Sequence, residues 1–146
     1  LDDMTNGLYD LRSLGTSLEG AGTMMYLVNG SIKGIEGYVK RLIDEIRSTL
    51  KKNELKASRT RVALVWSQDA YEMRGDKADM LNSLVIKLRD YIGDVEIHQS
   101  PTFDLFHSDK TTIVVACSKS DYEKISKTGK GTDLITIKTN PLCEIL

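Results

Sequence analysis

Apolar residues recur at spacings of three and four from residue 11 to residue 49: Leu11, Leu14, Leu18, Ala21, Met25, Val28, Ile32, Ile35, Val39, Leu42, Ile46 and Thr49. Eleven of these twelve are apolar, a heptad pattern sustained over nearly six repeats. One seam holds Leu11, Leu18, Met25, Ile32, Val39 and Ile46, and its later β-branched members favour two strands in a parallel coiled coil. The same faces serve a helical hairpin, helix 8–28 on helix 31–52, because Asn29-Gly30-Ser31 reads as a stop, a turn and a fresh N-cap. Leu8, Met24, Leu27, Tyr38, Ile43 and Leu50 widen the stripe beyond a narrow seam, as in globular packing. Seam-edge charges are sparse, only Glu36 and Glu45, and six glycines (15, 20, 22, 30, 34 and 37) each cost roughly 1 kcal/mol relative to alanine. Coiled coil and hairpin both stay open, and both end the second helix near Asn53.

From residue 57 the pattern changes character. Arg61-Val62-Ala63-Leu64-Val65-Trp66-Ser67 is a continuous apolar run, which suits a strand covered on both faces. After a polar loop, Asp76 stands at an N-cap position with Asp79 three residues on. Met80, Leu81, Leu84, Val85, Leu88, Tyr91 and Ile92 then follow at helical spacing, closed by Gly93. Asp94 to His98 alternates as a second strand, ended by Pro101. Thr111 to Cys117 is a third, the most apolar, and Ser118 to Lys127 is a short helix capped by Ser118 or Ser120. Asp133 to Lys138 is a fourth strand. Strands alternating with helices predict an α/β fold: a small, mostly parallel, flavodoxin-like sheet behind a long N-terminal coiled-coil or hairpin region. The expected division is residues 1–56, helical, and 57–146, α/β. The chain opens on Leu1 and closes in an apolar stretch at Leu146, as a fragment would, and one or two further strands are expected outside it.

Composition narrows the functional classes. Apolar content of 40% and charged content of 28% suit a folded protein. A net charge of −1 gives no general pull toward nucleic acid or an anionic membrane. Lysines cluster at Lys51, Lys52 and Lys56, and at Lys119, Lys124, Lys127 and Lys130, without the interleaved aromatics of a nucleic-acid surface. Cys117 lies in an apolar run and Cys143 far from it, so neither a disulfide framework nor a signal peptide points to secretion. A cytoplasmic, reducing setting is expected, and no apolar run is long enough to span a membrane.

In parallel sheets, ligands gather outside the carboxyl ends of the strands. The loops there open at Ser67-Gln68-Asp69, His98-Gln99-Ser100 and Ser118-Lys119-Ser120-Asp121. A hydrolytic triad has its residue types here but no Gly-x-Ser-x-Gly elbow. His98 and His107 lack metal-ligand spacing, so no metal is expected. No Gly-x-Gly-x-x-Gly follows the first strand and no Walker loop occurs, so no cofactor is expected. Thr128 to Thr132 lies after a helix and before a strand, the reverse of a phosphate-binding loop, and fits a helix C-cap. Ser118-Lys119-Ser120-Asp121 echoes a guanine-recognition tetrad without the phosphate loop that would accompany it. A phosphorelay receiver needs an acceptor aspartate where the third strand ends in Cys117-Ser118.

Val62 to Asp69, a strand running into Trp-Ser-Gln-Asp, and Asp109 to Glu123, an apolar strand ending in Ser before a short helix, resemble the Toll/interleukin-receptor domains and their SEFIR relatives. The resemblance covers about 80 residues, roughly 61–140. It implies a flavodoxin-like fold and a signalling role through protein contacts. It departs where residues 99–110 leave room for barely a turn instead of a full helix. Some members hydrolyse NAD with a glutamate in the helix after the third strand, where Glu123 stands without the Trp-Cys-x-x-Glu context.

The expectation is a non-enzymatic signalling and interaction module, self-associating through its N-terminal helices and meeting a protein partner, not nucleic acid or membrane. The alternative is an enzyme or binding domain for a nucleotide- or NAD-type small molecule. Its candidate residues are Asp69, Ser118 and Glu123 at the strand ends.

Overall fold

The computed structural model describes residues 2–17, 22–67, 75–101, 110–128 and 134–139. Two helices come first, α1 (Asp2–Ser17) and α2 (Thr23–Lys52). There follow a 3-10 turn (Ala57–Arg59), β1 (Thr60–Val65), α3 (Gly75–Arg89), β2 (Val95–His98), β3 (Thr111–Ala116), α4 (Lys119–Thr128) and β4 (Leu134–Lys138). All four expected strands form.

The helical region packs as a hairpin, α1 on α2, but its turn does not lie at Asn29-Gly30-Ser31. The break falls between Ser17 and Thr23, and α2 runs straight through Asn29-Gly30-Ser31. Ser31 caps nothing there; its hydroxyl donates to the Leu27 carbonyl one turn back. The local stop signal loses because α2 carries an unbroken apolar stripe. Val28, Val39, Leu42 and Ile46 are buried, and Ile32 packs against the same core. Gly22 enters α2 at φ 50, a left-handed conformation that glycine adopts without strain. Gly15 of α1 lies against Val28 of α2, where an added Cβ would meet the valine Cγ1 at 3.5 Å. The heptad therefore spans two helices packed on one another within the chain, and Val28, Val39, Leu42 and Ile46 face inward.

At its far end α2 closes with a Schellman arrangement. The Glu54 N–H donates to the Lys51 carbonyl and the Leu55 N–H to the Leu50 carbonyl, at 3.3 and 2.9 Å. Glu54 holds the left-handed position at φ 53, and Leu55 tucks against the core. This turn aims the chain into β1. The expected boundary at 56/57 falls in this connection.

The sheet is parallel throughout, in the order β2-β1-β3-β4. β1 sits between β2 and β3, with Val62 opposite Val95 on one side and Ile113 on the other. The chain leaves β1 toward β2 through α3 and leaves β3 in the opposite direction through α4. Right-handed crossovers in opposite directions put α3 and α4 on opposite faces.

Each face has its own apolar cluster. On one, Val62 and Leu64 of β1 with Ile113 and Val115 of β3 meet Leu42 and Ile46 of α2 and Leu84 and Leu88 of α3. On the other, Ala63, Val65, Val114 and Ala116 meet Ile125 of α4. Both faces of β1 and β3 are thus covered, which is why their sequences do not alternate. α3 starts one residue ahead of Asp76, the expected cap, and ends at Arg89, short of Gly93. The Ile92 N–H still returns to the Leu88 carbonyl, and Ile92 is fully buried.

Candidate functional site

An open sheet with this strand order reverses its winding between β1 and β3, and the crevice beyond their carboxyl ends is the place where ligands bind such folds. Trp66 and Ser67 continue β1, and Cys117 and Ser118 continue β3. The Cys117 N–H reaches back to the Val65 carbonyl at 2.9 Å, so the two ends stay in register.

Asp121 organises this end of the sheet. It lies in the first turn of α4 and is completely buried. Its Oδ2 accepts a hydrogen bond from the Ser67 N–H at 3.0 Å and from the Ser118 hydroxyl at 2.7 Å. The Ser118 oxygen in turn accepts from the Asp121 N–H at 3.1 Å. Ser118 is therefore the N-cap of α4, one of the two serines expected there, and its hydroxyl is committed to the cap. One carboxylate fastens the loop after β1 to the helix after β3. Its other oxygen, Oδ1, is buried without a hydrogen-bond partner among the described residues, as is the Ser67 hydroxyl.

The expected candidates fare differently. Ser118 belongs to this cluster. Glu123 is exposed on α4. Asp69 lies outside the described residues, as do His107, Cys143 and residues 102–109. His98 ends β2, where its Nε2 meets Glu96 Oε2 at 3.0 Å; the same oxygen accepts from Arg61 at 3.3 Å. With β1 between them, the ends of β2 and β3 are two strand spacings apart, roughly 10 Å. His98 is held by Glu96 and is no base for Ser118. Asp121 stands in one of the three expected loops but not among the candidates, although the spacing Ser118-x-x-Asp121 is a legible capping signal.

On the opposite face of the same strand end, Lys77 of α3 is buried with its ammonium 5.8 Å from the centre of the Trp66 ring. Tyr38 of α2 donates to the Thr139 carbonyl at 2.8 Å, and the Thr139 hydroxyl donates to the Ala116 carbonyl at 2.7 Å. Burial, with smaller contributions from Glu45 and Cys117, pushes the Tyr38 hydroxyl from 10.0 up to about 12. Between those values the unfolded chain ionises this phenol and the folded chain does not. The stability it contributes is thus complete below pH 10 and lost as pH rises toward 12. Urea midpoints at pH 9 and 11 are expected to fall less for Tyr38→Phe than for the wild type. An equal fall would remove Tyr38 as the cause.

Chemically the cluster disfavours an anionic ligand. The N-terminal turn of α4, where a phosphate would gain from the helix dipole, already holds the carboxylate of Asp121. Among the described residues no three His, Cys, Asp or Glu side chains are grouped to hold a metal ion. A surface cavity of about 260 Å³ lies between α2 and α3, lined by Lys40, Asp44, Arg47, Lys87, Asp90 and Tyr91 with Ile43 at its base. Arg47 lies over the Tyr91 ring there, 4.5 Å from its centre. No protein-family model matches the chain, and none of the curated proteins or solved structures compared with it matches either.

Proposed function

We propose that the chain is a non-enzymatic interaction module that self-associates through its N-terminal helices and presents its α/β domain to a protein partner in a cytoplasmic signalling setting. One observation carries the reading. The helical hairpin leaves large apolar side chains in water: Tyr26 is 81% exposed, Leu27 64%, Met24 49% and Leu14 44%. Exposed large apolar side chains on α1 and the first turns of α2 are what a contact surface presents. The commitment of the Ser118 hydroxyl to the α4 cap and the resemblance to Toll/interleukin-receptor and SEFIR domains support the same reading. Among the described residues no helix is long and apolar enough to cross a membrane.

Light scattering across a concentration series tests it. The wild type is expected to show a dimer or larger mass at micromolar concentration. Tyr26→Glu with Leu27→Glu is expected to run as a monomer with its melting temperature little changed. A wild-type monomer at high micromolar concentration would sink the proposal.

A second reading rests on the two unpartnered buried atoms, Asp121 Oδ1 and Ser67 Oγ, at the winding reversal. It is a nucleotide- or NAD-type binding enzyme in which these two oxygens would meet ribose or base groups, not phosphate, and for which Asp69, Ser118 and Glu123 are the first substitutions. Millimolar nucleotides and NAD that leave the melting temperature unmoved count against it.

A further inference from the structure

We propose that the occupant of the exposed α2 face is a second copy of the same face, crossing antiparallel about a two-fold axis between residues 33 and 34. This rests on the self-association reading and names its surface. The heptad seam is not available for pairing, since Val28, Val39, Leu42 and Ile46 are spent within the chain. The side of α2 turned to solvent instead presents Tyr26 and Leu27, then Gly30, Gly34 and Gly37, then Lys40 and Arg41, all exposed.

The order of charges along this face decides between the two ways of pairing it. A parallel pair sets Lys40 against Lys40, Arg41 against Arg41 and Asp44 against Asp44. An antiparallel pair sets Tyr26 against the partner's Arg41, a cation over an aromatic face, and Leu27 against the stem of the partner's Lys40. It also brings the partner's Asp44 to the start of α2. That end has Gly22 at its N-cap with no side-chain hydrogen bond and no acidic residue in its first turn. A carboxylate there meets the positive end of the helix dipole. Gly30 falls opposite the partner's Gly37. A Cβ at Gly30, Gly34 or Gly37 would meet nothing within 4 Å among the described residues, so the backbones of two copies have room to approach closely.

Single cysteines in the full chain test the geometry, in a Cys143→Ser background that leaves only the buried Cys117. Gly34→Cys, beside the axis, is expected to form a disulfide dimer alone under mild oxidation. Gly30→Cys and Gly37→Cys are each expected to stay uncrosslinked alone, because like residues lie about 10 Å apart along the axis, beyond disulfide reach. Mixed together, those two are expected to crosslink. Self-crosslinking of Gly30→Cys and of Gly37→Cys would mean a parallel pair and overturn the proposal. No crosslink from any variant in a protein that scatters as a dimer would move the interface elsewhere while keeping self-association. A protein that scatters as a monomer removes both.

Discussion

A chain shortened to residues 53–146 is expected to lose cooperative folding altogether. α2 supplies five buried side chains, Val39, Leu42, Ile43, Ile46 and Leu50, to the cluster that covers one face of β1 and β3. Burying each stabilises by about 1.5–3 kcal/mol, so together they contribute on the order of 10 kcal/mol. That equals the whole net stability of an ordinary domain, about 5–15 kcal/mol. Their removal leaves Val62, Leu64, Ile113 and Val115 covered on that face by α3 alone. Amide chemical-shift dispersion and a urea transition monitored at Trp66 are the measurements. A sigmoidal transition in the shortened chain would show that the sheet and its two remaining helices suffice. Within the full chain, Ile46→Ala tests the same contact more gently and is expected to cost about 2–5 kcal/mol.

Asp121→Ala is expected to cost about 3 kcal/mol, the largest effect among polar residues. It removes two charge-assisted hydrogen bonds and leaves the Ser67 N–H with a lost acceptor at a partly buried position. It also strips the first turn of α4 of its acidic partner. Glu123→Ala, two residues on and exposed, is expected to stay within about 0.5 kcal/mol. Equilibrium urea unfolding of the two variants beside the wild type decides. Equal midpoints would mean that Asp121 is dispensable to the strand ends.

Much of this is legible in the amino-acid sequence. The continuous apolar runs at 61–67 and 111–117 announced strands buried on both faces, and those became the two central strands. The helical spacing from Met80 to Ile92 announces α3, which ends three residues sooner, at Arg89. What misled was local chemistry read without tertiary context. Asn29-Gly30-Ser31 is a sound turn signal, but an apolar stripe docked along a sheet outweighs a stop signal of about 1 kcal/mol per glycine. A period of 3.5 residues likewise cannot say whether its partner is another chain or the chain's own sheet. At the strand ends, nucleophile and base types drew notice to Ser118 and Glu123. The capping spacing that fixes Asp121 says nothing of burial, and the bond from Ser67 spans 54 residues that no local pattern links.

The place of β1 in the middle of the sheet sets an order of events during synthesis. Once residue 98 is available, β1 has α2 before it in the chain and can pair with β2, but its other edge, Thr60 to Val65, waits for residues 111–116. Through that interval a short, uncharged, apolar run from Val62 to Val65 offers open backbone hydrogen bonds to any strand that meets it. A nascent chain that stalls between those points is a seed for aggregation, and the dozen residues before β3 are the window in which a chaperone has something to hold.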